Sequence, residues 1–394
     1  MAEVELTAPT ERLEERPVER EQRVTPLELF LDLVFVFAIT QVTGYVSADP
    51  TWSRLVEGLA VLAVLWWVWS AYAWLGNTAA SDEGPIRVVL LSASAAVLLA
   101  SLAVPHAFGA DGVVFGVAIL VVRLLHLWAY TVVARSRGDT ELGLVVFRLA
   151  QSIVPASLLL VLAGALDGAT QAACWALALT IDYGGLALRG TTGWRVQPAH
   201  FAERHGLIII IALGESIVSL GVGASGLPLD ASVASGELLG IAIAGALWWA
   251  YFDVVAIVAE RRLRRAPRSE QVRIARDSFT YLHLPMIAGI IIFAVGVKKT
   301  LAHTGAHLHA VPAVALCGGV GLYLLALSTF KRRNIGSLNY PRLAAAALLA
   351  ALTPIATRVP ALLALGLVAA VATGLIGYEV ARYAEARDRI RHGS

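Results

Sequence analysis

The chain has 394 residues, of which 58% are hydrophobic and only 15% are charged, and its formal net charge is +2. Its mean hydropathy of +0.71 exceeds what a soluble domain of this length needs to form a core, which excludes a soluble globular protein. The few basic residues form no patch with interleaved aromatic side chains, which excludes a nucleic-acid-binding protein. We therefore expect the lipid bilayer to surround most of the chain.

The first 25 residues are rich in charge and lack the apolar stretch of a signal peptide, so we expect a charged cytoplasmic tail at 1–25. A spanning helix needs about 20 apolar residues, and this rule predicts an all-α integral membrane protein of about twelve transmembrane helices. The predicted spans are 27–47, 55–76, 86–107, 112–134, 142–165, 170–189, 206–224, 236–259, 279–300, 310–330, 341–357 and 360–381. A cytoplasmic C-terminal tail is expected at 386–394.

Basic residues alternate between the predicted loops. One set of loops holds nearly all of them, including Arg204 and the group between 261 and 276. The opposite set holds little beyond Arg54, Lys298 and Arg358 with their neighbours. Cytoplasmic loops are enriched in lysine and arginine, so the pattern predicts an inner-membrane protein of a bacterium with both termini in the cytoplasm.

The two halves of the chain resemble each other. The second predicted helix contains 65–69 (LWWVW), and the eighth contains 247–251 (LWWAY). The fifth and eleventh both begin near Arg-Leu-Ala, at 148–150 and 342–344. Six helices per repeat place both halves in the same orientation, so we expect a parallel 6+6 internal repeat. The expected bounds of the two repeats are 26–190 and 191–385.

Acidic residues inside the predicted spans are the sharpest functional signal. Glu28 and Asp32 are four residues apart, so both carboxylates lie on one face of the first helix. A charge near the bilayer centre costs about 3 kcal/mol, so Asp32 must face protein or water, either as a polar link between helices or as a proton or ligand site. Glu215 lies about 15 Å along its helix from His205, near the midplane. Gly214 beside it favours close approach of a neighbouring helix.

Other ionisable residues also lie inside or at the ends of the predicted spans. Arg123 and His126 are three residues apart and share a face of the fourth helix. His200 and Glu203, with His205 nearby, are interpreted as a loop cluster that hydrogen-bonds a helix end. The candidate residues of a substrate or proton site are Glu28, Asp32, Arg123, His126, Asp182, Glu203, His205, Glu215, Asp253 and His283. Nearly all fall in the predicted cytoplasmic half or at the midplane, which indicates a polar cavity entered from the cytoplasm.

Several familiar signatures are absent from the sequence. It contains no P-loop, dinucleotide fingerprint or nucleophile elbow, so no catalytic residue and no cofactor is predicted. Cys174 and Cys317 lie in apolar stretches without partners at metal-ligand spacing. His303, His307 and His309 are interpreted as a solvated cluster in a loop, so no metal site is predicted either.

Three motifs resemble those of a known family. Residues 27–36 (LELFLDLVFV), 203–207 (ERHGL) and 212–216 (ALGES) are similar to the bacterial low temperature requirement protein A (LtrA) family, and 251–253 (YFD) agrees with its pattern. The likeness runs through most of 23–385. The resemblance implies a multi-pass membrane protein, and it implies neither a substrate nor a reaction.

Two functions are compatible with these residues. In the first, the protein is a secondary transporter or ion-translocating protein, in which Glu215 and Asp32 carry protons or cations. Arg123 would then be a counter-charge or a contact to an anionic substrate, while His126 and His283 tune protonation. In the alternative, the protein is a membrane-embedded enzyme that performs acid–base chemistry on a lipid or isoprenoid substrate. The expected partners are the bilayer, a small solute or ion and a second copy of the chain, and not nucleic acid.

Overall fold

The computed structural model describes residues 23–78, 84–188 and 193–392. Within these ranges the chain is helical apart from its connecting turns and contains no β-strand. Residues 1–22 of the expected N-terminal tail lie outside the described residues, as do 393–394 of the expected C-terminal tail. The described part of that C-terminal segment is helical.

Six long helices occupy the first half of the described chain: α1 Pro26–Ala48, α2 Trp52–Gly76, α3 Gly84–Ala103, α4 Gly112–Arg137, α5 Thr140–Ala163 and α6 Gly168–Leu188. The second half contains α7 Pro198–Ala224, α8 Ala231–Phe252, α9 Val255–Arg265, α10 Arg268–Ile274, α11 Leu282–Ala302, α12 Ala310–Ile335, α13 Tyr340–Ala356, α14 Ala361–Arg382 and α15 Ala384–His392. A π-helical turn, Ala275–Tyr281, joins α10 to α11.

Among the described residues, ten helical segments are long and apolar enough to cross a membrane. Three of them combine consecutive helical elements: Gly84–His106, in which a 3-10 turn (Val104–His106) follows α3, and also Ala231–Arg265 and Arg268–Ala302. α6 is outside this set of ten, and α13 is a shorter apolar helix of 17 residues. The structure therefore confirms an all-helical, multi-span protein, whereas the count of twelve spans stays a prediction.

The seventh helix begins earlier than the sequence predicts. The expected span starts at 206, but α7 starts at Pro198, which occupies the first helical turn as proline does most readily. The first turns of α7 carry Glu203, Arg204 and His205, and it was this charge that excluded them from a predicted span. Arg204 is 0% exposed in the structure, so its assignment to a solvent-facing loop is wrong.

Contacts along the helices show how they are oriented. α1 and α7 run parallel, because Glu28 near the start of α1 contacts His200 near the start of α7, and Thr40 further along α1 contacts Glu215 further along α7. α8 returns antiparallel to α7, so its end also lies where α7 begins, and Asp253 there binds α15. The described N- and C-terminal segments consequently share one end of the bundle. We call it the arginine-rich end, and its arginines include Arg264, Arg276, Arg333 and Arg387.

The most buried part of the bundle lies around α11. In the segment Arg268–Ala302, 78% of the most apolar window is buried, against 39% in Ala231–Arg265. α11 packs against α7 and α12, and also against α1 and α2. Gly289 of α11 and Gly319 of α12 allow the closest approach, because a Cβ atom on either would overlap the backbone of the opposite helix.

Candidate functional site

Arg204 is the centre of a buried charge network between α1 and α7. Its Nη1 lies 3.0 Å from Oε1 of Glu28, and its Nη2 donates to Oδ1 of Asp32 at 2.7 Å. The guanidinium lies over the ring of Trp69 on α2, 5.6 Å from the ring centroid. Trp69 Nε1 donates to the same Asp32 oxygen at 2.8 Å. One arginine thus faces two carboxylates in a site from which water is almost excluded.

Local sequence explains why Glu28 reaches this network. Thr25 caps α1: its backbone N–H donates to Glu28 Oε2 at 2.9 Å, and the Glu28 N–H donates to the Thr25 hydroxyl at 3.3 Å. This reciprocal capping box fixes the first turn and the direction of the carboxylate. Gly76 of α2 lies beside it, and a Cβ atom at that position would overlap the Glu28 carboxylate.

The start of α7 supplies two further contacts to α1. His200 Nε2 lies 3.1 Å from Glu28 Oε2, and the histidine is fully buried. Glu203 is exposed, and its Oε2 accepts a hydrogen bond from the Val24 N–H at 3.4 Å. The interpretation of these two residues as a loop cluster is wrong in its secondary structure, because both lie on α7. Their hydrogen bonds do reach a helix end, that of α1.

His205 and His283 belong to an aromatic cluster next to the network. The Nδ1–H of His205 donates to the Phe201 carbonyl at 2.8 Å, and its ring centroid lies 5.0 Å from that of His283. His283 Nε2 lies 2.8 Å from the Tyr251 hydroxyl of α8. Both histidines are 0% exposed. Their position indicates that they link α7, α8 and α11 by ring packing and hydrogen bonds.

Glu215 is a buried acid of a different kind. It is 2% exposed, the Thr40 hydroxyl donates to its Oε2 at 2.5 Å, and the Ser219 hydroxyl donates to its Oε1 at 3.0 Å. Within the described residues, no basic side chain lies at ion-pair distance from it. It lies about 16 Å along α7 from Arg204, so the two are separate sites. The expectation that Gly214 permits close helix approach is wrong, because a Cβ atom there would meet no atom within 4 Å.

Arg123 and Asp182 form a third group, between α4 and α6. Arg123 Nη1 lies 2.7 Å from Asp182 Oδ2 and 3.4 Å from the Ser157 hydroxyl of α5. His126 is one turn further along α4, and its Nε2–H donates to the Ala71 carbonyl at 3.1 Å. Arg123, His126 and Asp182 all face a cavity that also borders α2 and extends to the exposed Arg148.

Asp253, at the end of α8, binds arginines of the C-terminal helix. Its carboxylate accepts hydrogen bonds from Arg387 Nε at 2.6 Å and from Arg387 Nη2 at 3.0 Å. Arg391 lies 3.4 Å away. The aspartate therefore attaches the C-terminal helix α15 to the arginine-rich end.

The candidate residues do not meet in one cavity. Arg123 binds Asp182, whereas Glu215 has only hydroxyl partners and Asp32 binds Arg204. Sequence reasoning did not include Arg204, His200 and Trp69 in the site. A usable signal was present, because His200 and Arg204 have the same four-residue spacing as Glu28 and Asp32. In the part of the chain that the structure describes, no group of three His, Cys, Asp or Glu side chains could hold a metal ion.

Comparison with known proteins places these residues in a family. The chain is 29% identical over 343 residues to the uncharacterized protein RA0937 of Rhizobium meliloti (strain 1021), covering 82% of this chain and 81% of that protein. No solved structure matches the chain. The family model of the bacterial low temperature requirement A protein matches residues 23–377, which includes the α1–α7 network, Glu215 and the Arg123–Asp182 pair. The chain therefore belongs to the bacterial low temperature requirement A (LtrA) protein family.

Proposed function

We propose that this LtrA-family protein is a secondary transporter or ion-translocating protein of the bacterial inner membrane. In this proposal it has twelve spans in two parallel six-helix repeats, and both termini are cytoplasmic. The observation that carries the transport proposal is Glu215, a buried acid without a cationic partner among the described residues, at the contact between the repeats.

The parallel arrangement of α1 and α7 supports α6 as a span. Both helices begin at the arginine-rich end, so the chain must cross the bilayer an even number of times between the two starts. α1 to α5 supply five crossings. α6, with 21 residues, is the segment available for the sixth.

A similar argument supports α13 as a span. The start of α14 lies beside the start of α12, because the Ala361 N–H donates to the Ala306 carbonyl at 2.8 Å and the Leu362 N–H donates to the Thr304 carbonyl at 3.0 Å. α12 leads away from this end, so α13 must return to it. Its 17 residues reach about 25 Å, close to the roughly 30 Å hydrocarbon thickness.

The repeat is supported by contacts between equivalent positions. The Glu28–His200 and Asp32–Arg204 pairs are each separated by 172 residues, the shift that aligns the start of α1 with the start of α7. Residues at a two-fold axis contact their own equivalents. The packing order agrees, because α1 contacts α2 and α3 as α7 contacts α8 and α11. The chain of neighbours α3–α4–α5–α6 likewise corresponds to α11–α12–α13–α14.

The chemistry of Glu215 supports proton coupling. Glu28, Asp32 and Asp182 each lie within 3.0 Å of an arginine nitrogen, so protonation of any of them breaks an ion pair. Glu215 instead has two hydroxyl partners, which can donate to a carboxylate or accept from a carboxylic acid. It can exchange a proton while keeping its partners. The proposal therefore assigns the proton to Glu215 and removes that role from Asp32.

The α1–α7 network has a complementary role in this proposal. It joins the two repeats at the arginine-rich end, and Glu215 lies beyond it. Transporters built from repeats expose a central site alternately by rocking one repeat against the other. The contacts of Arg204 with Glu28 and Asp32 would close the cytoplasmic side when formed and open it when the repeats separate.

The test uses purified protein in liposomes that contain a pH-sensitive dye. Gradients of a panel of organic anions and cations are imposed, and internal pH is recorded. We expect a solute-dependent pH change that Glu215→Gln abolishes. Glu237→Gln, which alters a partly buried acid of α8, is the matched control and should retain it. Proton movement at the wild-type rate with Glu215→Gln would contradict the assignment.

A further inference from the structure

The Arg123–Asp182 pair is buried but only partly satisfied. Arg123 is 3% exposed and Asp182 is 2% exposed, and they share one contact of 2.7 Å. Among the described residues, Arg123 Nη2 and Asp182 Oδ1 have no hydrogen-bond partner, and the hydroxyl of Ser70 on the same cavity wall has none either. Buried polar atoms are nearly always paired, so three unpaired ones on residues that line a single cavity indicate a place for a polar ligand.

The walls of this cavity are aromatic. Trp67 and Trp74 of α2 and Trp194 before α7 line it. Trp74 and Trp194 meet edge to face with centroids 5.1 Å apart. Such walls bind flat or aliphatic bodies through apolar contact. Polar groups at one end and indole rings around them are the arrangement that an amphiphilic ligand requires.

The π-helical turn before α11 forms another wall. Its Thr280 accepts two hydrogen bonds from α2, from Trp66 Nε1 to the carbonyl at 2.8 Å and from Trp74 Nε1 to the hydroxyl at 3.0 Å. The same turn brings Arg276 to the cavity. Single π-helical turns occur often at functional sites. Here the turn orients a tryptophan wall and a cationic side chain toward the same space.

The charge around the cavity is unbalanced. Arg123 and Arg276 line it together with the carboxylate of Asp182. Arg276 also binds Asp277, which in turn binds Arg333, so these five residues carry three positive charges against two negative charges. Clefts with a positive excess and low-dielectric walls concentrate anions.

We infer that this cavity binds an organic anion, with a carboxylate or phosphate group on Arg123 and an apolar body between the tryptophans. The inference rests on the proposed transport function, for which it names the substrate class. Without the ligand, the carboxylate of Asp182 pairs with Arg123. The entering anion pairs with Arg123 through the unpartnered Nη2 and weakens the Asp182 contact. Planar guanidinium groups favour such two-point contacts with carboxylate and phosphate.

The test is isothermal titration calorimetry of the purified protein in detergent with 2-naphthoate. Asp182→Asn removes the competing carboxylate and should tighten the dissociation constant by about tenfold. Arg123→Gln combined with Asp182→Asn removes the charges of both members of the pair and should weaken binding by at least about tenfold. The control is Arg342→Gln with Glu379→Gln, a largely buried pair outside the cavity, which should bind like wild type.

Two further probes define the ligand. 2-Naphthalenemethanol lacks the charge and inorganic phosphate lacks the apolar body, so both should bind at least about tenfold more weakly than 2-naphthoate. Equal binding of the alcohol, or a weaker affinity for naphthoate with Asp182→Asn, would overturn the inference. Each variant is first checked for a monodisperse elution peak. If the protein binds 2-naphthoate but the liposomes show no flux, the binding site is supported and the transport proposal is wrong. Failure of the binding site and failure of the transport proposal are therefore distinguishable.

Discussion

Two buried arginines of the same bundle are used in different ways. Arg204 contacts two carboxylates, stacks on Trp69 and is 0% exposed. Arg123 contacts one carboxylate and one serine, and it borders a cavity. Arg204 lies between two acids of α1 and an indole ring, whereas Arg123 has one acidic partner and faces open space. The comparison indicates that Arg204 holds α1 and α7 together and that Arg123 borders the space in which we propose a ligand.

The largest effect is expected from Arg204→Gln. It leaves Glu28 and Asp32 buried without their shared cation, which should lower the free energy of unfolding by about 3–5 kcal/mol. The measurement is unfolding in mixed micelles of dodecyl maltoside and increasing SDS. Arg262→Gln breaks a partly exposed ion pair with Glu270 and serves as control, with an expected loss of about 0–1 kcal/mol.

A neutral version of the same network sharpens this result. Glu28→Gln, Asp32→Asn and Arg204→Gln together remove every charge among the three residues, so no carboxylate is left without its cation. The triple variant should recover more than half of the stability that Arg204→Gln loses. If it is less stable than Arg204→Gln alone, the charge network does not act as the structure indicates.

A smaller effect is expected from Gly76→Ala. The new Cβ atom would overlap the Glu28 carboxylate and displace it from Arg204, at a cost of about 1–3 kcal/mol in unfolding free energy. Gly214→Ala is the matched control, because its Cβ atom would meet no atom within 4 Å. Equal unfolding free energies for the two variants would contradict the predicted contact.

The smallest effect is expected from Trp69→Phe. It removes the indole N–H that donates to Asp32 but keeps an aromatic ring beside Arg204, so the loss should be about 1–2 kcal/mol. Trp128→Phe, at a side chain that is 50% exposed on α4, should change the unfolding free energy by less than about 0.5 kcal/mol. If the Trp69 variant is as stable as the Trp128 variant, the hydrogen bond from Trp69 to Asp32 does not contribute to stability.

These sites differ in how far the sequence predicts them. The shared face of Glu28 and Asp32 follows from their four-residue spacing. Arg204 was missed because hydropathy assigns a charged turn to a loop, although acids on another helix can neutralise that charge inside the bundle. The sequence predicts Arg123 as a counter-charge or a contact to an anionic substrate, but it does not identify Asp182 as its partner. Hydropathy fixes neither the rotation of a helix nor the neighbours that it faces.

The most direct test of proton coupling is the protonation of Glu215 itself. Infrared difference spectra of the protein in lipid, recorded between two pH values, report the carbonyl stretch of protonated carboxyl groups. We expect a pH-dependent band that Glu215→Gln removes and that Glu237→Gln leaves in place. A band that persists unchanged with Glu215→Gln would show that this acid does not exchange a proton, and would contradict its role as the carrier.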